Sequence, residues 1–596
     1  MAFESFPANR LPGPLATAVN HFLQIHRLED LYARTRAEHG FVRRLLEDLQ
    51  VTVNVTEPDF EKIPRIGPVV AVSNHPFGIL DGVMLADLLT RARPDVRILT
   101  NQLLGDLPEL ARMCIFIDPF EHHGSEQRES RIANGRALKA AVRHLRTGGM
   151  LLIFPAGEVS HFDLKKRAIC DPEWNITPAR LVRITGAKSL PILIRGSNGI
   201  PFQMLGMVHP RLRTAALPVE MLNKRGKSVE IRIGGAIEPS RIDALPDDVE
   251  ATRYLRLRTE LLEGRGETKL CPPEASRPVA METPVEALAN EIAALPNDCL
   301  IEDTREFSVY LAGARQIPLA LREIGRLREI TFRAAGEGTG QLTDLDRFDP
   351  YYLQLFLWNK EKREIAGGYR LGEVPKILAR LGPKGLYTDS LFRIKAGFFA
   401  RLGPSLELGR SFIRPEYQRA YAPLLLLWKG IAGFVARHPE YSTLIGAVSV
   451  SNRYSPASRE LIARYFEKQN AADDSAHGAT GWRGAVRARR PLRGNLVQRW
   501  ETAALDSLLP DVEDLSAPIA DLEPDGKGIP ILVRQYVKLG GKLLAFSVDP
   551  QFGNTLDGFV MIDLTRTSPE ILARYMGKDR AQRFFAWHSA PHPRVA

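Results

Sequence analysis

The chain has only four cysteines in 596 residues, Cys114, Cys170, Cys271 and Cys299, far apart and without a CxxC pair. That scarcity excludes a disulfide scaffold and a cysteine-built zinc site, and it fits a reducing compartment. Long apolar runs are missing too. The nearest, Ala422 to Ala436, is interrupted by Lys429, whereas a spanning helix needs roughly 18–20 apolar residues. The opening MAFESFPANRLPGPLATAVNHF carries Glu4 early and Pro12 and Pro14 in its middle, a poor signal peptide. No solenoid period repeats. No histidine cluster reads as a metal site, and His122-His123 reads as a surface pair. Acid falls short of base: 70 Asp and Glu against 80 Lys and Arg leave a formal charge of +10. Such an excess attracts nucleic acid, anionic lipid or acidic protein without choosing among them.

What is present is a globular composition, 44% hydrophobic and 25% charged. Two folded regions are expected, 1–265 and 298–596. The segment between them, 266–297, carries Pro272, Pro273, Pro278 and Pro284 and reads as an extended linker. In the first region short apolar runs such as VVAVSN, MCIFID, MLLIFP and SLPILI alternate with helical patterns, the signature of an α/β layered sheet. The second region pairs an amphipathic helix, ALREIGRLREITFRAAG, with strands including EIAGGYRL, SLELGRSFI and TLIGAVSV, which makes it α+β.

The run VVAVSN ends in His75-Pro76-Phe77-Gly78-Ile79-Leu80-Asp81. Active residues collect at strand ends in α/β sheets. A histidine with a carboxylate in one loop can form a dyad, the acid fixing the tautomer while the other ring nitrogen takes a proton from a hydroxyl. FID (Phe116–Asp118), FPAGE (Phe154, Pro155, Ala156, Gly157, Glu158) and LPI follow in order. This series resembles the PlsC-like glycerolipid acyltransferases over roughly Pro64 to Pro239. The resemblance implies transfer of a fatty acyl group from a thioester to a lipid hydroxyl, with His75 as general base, Asp81 as its partner and no covalent enzyme intermediate. It makes Phe116, Asp118, Phe154, Pro155, Gly157 and Glu158 substrate-binding candidates. The chain departs from the pattern in three places. Five residues, not four, separate His75 from Asp81; Ala156 stands where the family has Glu; and Pro119, not an Arg, follows Asp118. The last two argue for an acceptor other than a glycerol phosphate.

The second region carries Arg328 and Phe332, then Asp344, Asp346 and Asp349, then Arg370, Glu407 and Arg410. In a regular strand Glu407 and Arg410 face opposite ways unless the strand bulges. Together these positions resemble the GNAT-fold acyltransferases that use acyl-carrier protein, among them the ornithine N-acyltransferases. Carried over, Arg328, Phe332, Asp346, Asp349 and Arg370 line the amino-acid and acyl site. Glu407 is the candidate base, directly or through water, and Arg410 would hold a carboxylate or the catalytic acid. No glycine-rich pyrophosphate turn follows the ELGR strand, which favours a carrier-protein thioester over a nucleotide one. Such carriers are acidic and suit the positive charge.

The resemblance of the whole is to bifunctional ornithine lipid synthases: an α/β PlsC-like domain followed by an α+β GNAT-like domain. It implies L-ornithine, lyso-ornithine lipid and acyl-carrier protein as substrates and partners, with no cofactor, metal or nucleic acid. It also implies a peripheral place on the cytoplasmic face of the bacterial inner membrane. Thr480 to Trp500, with six arginines, two tryptophans and no acid, suits an anionic membrane surface, the acidic carrier, or a basic loop without order. Glycine, lysine or glutamine as head group stays open. So does an N-terminal half that only binds lipid.

Overall fold

The computed structural model describes residues 24–36, 40–101, 108–117, 125–164, 166–208, 210–266, 277–477, 482, 484–494 and 505–590. The chain divides into two compact units. The first is built on β1 (Thr52–Asn54), β2 (Val69–Ser73), β3 (Val96–Asn101), β4 (Cys114–Ile117) and β5 (Met150–Ile153). A separate hairpin of β6 (His161–Asp163) and β7 (Ala168–Cys170) follows, then β8 (Lys188–Ile194) and β9 (Ser228–Ile233). The sheet runs β1-β9-β8-β2-β5-β3-β4, parallel except between β8 and β9. β2 is central and every residue of it is buried, so its sequence is continuously apolar rather than alternating. It leads through one loop into helix α1 (Ile79–Ala92). Helices α2 (Ile200–Val208) and α3 (Asp248–Leu261) come later.

Two stretches expected in the C-terminal domain belong to this first unit: the short helix Leu505–Leu508 and the segment Ala520–Pro524. Asp521 pairs with Arg258 of α3 at 2.6 Å, both side chains under 5% exposed, and accepts from the backbone N–H of Gly235.

The segment read as an extended linker contains a helix, α4 (Val285–Ala293), whose Leu288 and Ile292 are buried in the core of the second unit. Prolines crowd the region, but only Pro284 touches this helix, at its N-cap, where a missing N–H costs nothing. Helix α5 (Pro318–Ala335) follows. The second sheet is β10 (Leu300–Asp303), β11 (Phe307–Gly313), β12 (Leu353–Asn359), β13 (Glu364–Glu373), β15 (Ser405–Ile413), β16 (Thr443–Val450), β19 (Thr555–Asp563) and β18 (Lys542–Asp549), in that order. A small pair, β14 (Phe392–Ile394) and β17 (Val486–Ala488), lies outside it. The remaining helices used below are α6 (Tyr387–Leu391), α7 (Tyr421–Arg437) and α8 (Pro456–His477). Part of the basic segment Thr480–Trp500 is thus a strand. Its Trp482 stacks edge-on against Phe398 and carries the Arg401 guanidinium over its ring. Trp500 lies outside the described residues.

β15 and β16 are the one parallel pair in the second sheet, and they pair only from Ser405–Thr443 to Leu408–Gly446. Beyond that they part. β16 continues against β19 as far as Val450, while β15 bulges: its register against β13 steps from Gly409↔Arg370 to Phe412↔Gly368, three residues against two. Arg410 sits in the bulge with a φ of 49°, a left-handed conformation uncommon for a residue with a side chain. Among the described residues no helix is long and apolar enough to cross a membrane.

Candidate functional sites

In the first unit the turn after β2 brings His75 and Asp81 together. His75 Nδ1 lies 2.9 Å from Asp81 Oδ2, so the added residue between them does not prevent the dyad. Asp81 is the third residue of α1, and its Oδ2 accepts from the backbone N–H groups of Phe77 and Gly78 at 2.8 and 2.9 Å. Gly78 permits this turn. Its φ is 79°, and a Cβ there would stand 2.7 Å from Leu217 Cδ2. Burial pushes the Asp81 carboxyl up, opposed by His75 and by those two N–H donors. The His75 side chain keeps 18% of its surface exposed and stacks on Phe154, ring centroids 4.3 Å apart. With Nδ1 turned to the acid, Nε2 is the nitrogen left for a substrate hydroxyl.

A second acid, which no local pattern marks, holds the same loop. Asp171 Oδ1 accepts from the His75 backbone N–H at 3.2 Å and from the Ser160 hydroxyl, and Oδ2 accepts from Trp174 Nε1 at 3.0 Å. The Ser160 N–H in turn donates to the His75 carbonyl at 2.8 Å. Asn74 exchanges two hydrogen bonds with the Ile194 backbone and fixes the end of β2 to β8. Pro155 and Gly157 form the tight turn after β5, closed by Gly157 N–H donating to the Phe154 carbonyl. Glu158 is exposed and pairs with the buried Arg213 at 2.6 Å. Phe116 pairs with Thr100 on the edge strand β4, and Asp118 lies outside the described residues.

In the second unit the parted strands β15 and β16 open a cavity of about 640 Å³. Gly409, Arg410 and Ser411 line one wall and Ala447, Val448 and Ser449 the other, with Phe332, Tyr387, Glu337 and Asp557 between them. Of the expected site residues Phe332 and Arg410 reach this cavity. Arg328, Asp349 and Arg370 do not; they are buried beneath it and at most 2% exposed. Arg328 donates to Asp349 and Gln354. Arg370 donates to Asp346 at 2.6 Å and lies among the rings of Phe348, Tyr352 and Tyr387. Burial pushes Asp349 up, and Arg328 and Arg370 more than offset it, so it titrates below the ordinary carboxylate range. The network steadies Arg410 instead of lining the site. Arg410 Nε stands 3.0 Å from Asp344 Oδ2, Nη2 stands 3.5 Å from Asp346, and Nη1 donates to the Tyr387 hydroxyl.

Glu407, the expected base, is placed elsewhere. Its carboxylate is 1% exposed and accepts from the Tyr352 hydroxyl and from the backbone N–H groups of Tyr387 and Thr388. It caps the start of α6. Its carboxylate is committed to those three donors and does not face the cavity. The carboxylates that do face the cavity are Glu337 and Asp557. Glu337 follows the left-handed Gly336 that ends α5, and its carboxylate has no hydrogen bond or ion pair among the described residues. Asp557 accepts from the Ser449 hydroxyl at 2.6 Å and from Thr555. Burial pushes Glu337 up to about 8, aided by Asp557 and opposed by Arg410 and Arg453. Burial likewise lifts Asp557 to about 6, against the Ser449 hydroxyl. An acid near the start of the mostly apolar strand TLDGFVMID was the available signal for Asp557. Glu337 had none. Among the described residues no group of three or more His, Cys, Asp or Glu could hold a metal ion.

The family model described as acyltransferase matches residues 34–267, and that of the acetyltransferase (GNAT) domain matches residues 327–429. The chain is therefore an acyltransferase, built from an acyltransferase domain followed by a GNAT domain. It is 32% identical over 271 residues to the glycine N(alpha)-acyltransferase of Bacteroides thetaiotaomicron, a match covering 43% of this chain and 76% of that protein. It is 27% identical over 223 residues to the lyso-glycine lipid O-acyltransferase of Phocaeicola vulgatus, covering 36% and 75%. To the L-ornithine N(alpha)-acyltransferase of Agrobacterium fabrum it is 24% identical over 259 residues, covering 42% and 78%. The chain belongs to the family of the glycine N(alpha)-acyltransferases.

Proposed function

We propose that this chain performs two successive acyl transfers and makes a two-chain amino-acid lipid. The observation that carries the reading is that one chain holds both a His–Asp dyad at the end of a buried strand and an acid-lined cavity between parted GNAT strands. In the C-terminal unit the substrate is the α-ammonium of an amino acid. Asp557 takes its proton, the amine nitrogen attacks the thioester carbonyl carbon, and the C–S bond breaks. Glu337, held protonated at neutral pH, gives its proton to the departing thiolate, and the proton lost by the new amide passes back to the carboxylates. Past Leu408, β15 has no ladder partner on its β16 side, so its backbone N–H groups can donate to the carbonyl oxygen of the donor. The product is an N-(3-hydroxyacyl) amino acid. In the N-terminal unit His75 takes the proton of that 3-hydroxyl, its oxygen attacks a second thioester, and the imidazolium, steadied by Asp81, protonates the leaving thiolate.

Acyl-carrier protein as donor is supported by the lack of a glycine-rich pyrophosphate turn and by the positive charge. Ornithine as head group is supported by the likeness to the L-ornithine N(alpha)-acyltransferase over 78% of that protein. Glycine is the second reading, favoured by the higher identity to the glycine enzyme. The test is expression in a host without aminolipids, followed by lipid mass spectrometry. An amide- and ester-linked diacyl ornithine is expected. Diacyl glycine would keep the chemistry and replace the head group; a mono-acyl product alone would remove the second transfer from this chain.

A further inference from the structure

The β6–β7 hairpin leaves the body of the first unit directly from the His75 loop. Its two roots are Ser160 and Asp171, the two residues that hold the backbone N–H and carbonyl of His75. Its pairing is short, His161 to Asp163 against Ala168 to Cys170. Away from the body it presents large aliphatic side chains: Leu164 is 73% exposed and Ile169 40% exposed. Lys166 and Arg167 stand exposed at the same tip. Helix α2 packs beside it, Gln203 accepting from the Phe162 N–H at 3.0 Å. One turn apart on that helix, Ile200 and Met204 are 79% and 55% exposed, while Phe202 between them is 1% exposed and anchors the helix.

Isolated exposed aliphatics are ordinary, but four gathered on a hairpin and the helix against it form a patch that water does not favour. The two cations at the tip decide what covers it. A bilayer surface takes aliphatic side chains into its acyl boundary and leaves lysine and arginine at the phosphate level, their stems lying along the apolar edge. An acidic protein would meet the cations as well, and it is the other outcome that the test below distinguishes. We infer that the β6–β7 hairpin and the exposed face of α2 are the surface by which this chain docks on an anionic lipid bilayer, next to the His75 site. The roots of the hairpin then connect docking to the catalytic loop through Asp171 and Ser160. The proposed O-acyl transfer explains why such a surface sits there, and the docking itself is tested without reading that activity.

The experiment is flotation of the full chain with vesicles of phosphatidylcholine containing phosphatidylglycerol at about one lipid in three, at low and moderate salt. The double variant Leu164→Asp/Ile200→Asp is expected to lose at least about tenfold in partition. Ile66→Asp, a comparably exposed site (86%) at the other end of β2, is expected to partition as the wild type does. Lys166→Glu/Arg167→Glu is expected to lose most on the anionic vesicles and to remove the salt dependence. Leu164→Trp is expected to add fluorescence that brominated lipid quenches, beyond the wild-type signal. Equal partition of the double variant and the wild type would overturn the inference, as would a residue-164 tryptophan that brominated lipid leaves unquenched. So would retention on immobilised acyl-carrier protein without vesicle binding, which would assign the patch to a protein. A wild type that floats but makes no ester-linked lipid would remove the proposed O-acyl transfer and leave the docking surface standing.

Discussion

His75 is held at three points: its ring by Asp81 and Phe154, its N–H by Asp171, its carbonyl by Ser160. Replacing it by alanine removes the only imidazole in this arrangement. His75→Ala is expected to cut O-acylation by about 10²–10⁴-fold and to leave N-acylation untouched, so that the mono-acyl product accumulates in the lipid profile. Asp557 carries the corresponding prediction in the second unit. Burial lifts it from an ordinary 3.8 to about 6, so the folded state prefers the neutral acid. The stability this group gives is whole below its unfolded value and is lost as pH rises through its folded one. Asp557→Asn is expected to abolish the rise of N-acylation rate through about pH 6. It is also expected to stabilise the fold by about 1–3 kcal/mol at about pH 8 and by little at about pH 4, read by denaturant titration at both pH values. At this scale sequence reading is good where partners are close. His75 and Asp81 share one turn and were found together. Asp171 lies 96 residues from His75, and Glu337 and Asp557 meet only because the sheet brings β19 beside the end of α5. Pairings of that kind leave no spacing to read.

Elements show where a residue type was right and its place was not. Glu407 and Arg410 lie three apart, and a regular strand sends them to opposite faces. The bulge at Arg410 turns its guanidinium into the cavity, and Glu407 stays behind the sheet as the cap of α6. Glu407→Gln would put an amide NH₂ among three donors. It is expected to cost about 1–3 kcal/mol of stability and to leave the shape of the pH–rate profile of N-acylation unchanged; a lost alkaline or acid limb in that profile would return Glu407 to the role of base. Strand and helix alternation in the first unit was legible because β2, β5 and β8 are buried on both faces and read as continuous apolar runs. The helix α4 was not, because proline density described the segment better than its nine amphipathic residues did. In the basic segment Trp482 is taken up by the fold, carrying the Arg401 guanidinium over its ring.

At the scale of the whole molecule, two domains in this order were evident from motif order alone. What composition does not show is that the first unit borrows chain from beyond residue 500. Arg258 is 3% exposed, and its carboxylate partner, Asp521, comes from that borrowed segment. Breaking a buried pair leaves an uncompensated charge, so Asp521→Ala is expected to lower the stability of the first unit by about 3–5 kcal/mol. Differential scanning calorimetry should show one transition falling and the other unmoved. A piece ending at Arg265 would carry the same defect. The parted strands β15 and β16 have a consequence of another kind. A sheet normally protects its interior edges by pairing them, and here one is left open within the sheet. If the proposed thioester donor enters the wedge, its amide-bearing arm would pair with the open edge of β15 as a temporary strand. Recognition of the thioester would then depend on backbone geometry more than on side chains, and the cavity can tolerate changes in the residues around it while keeping the same class of donor.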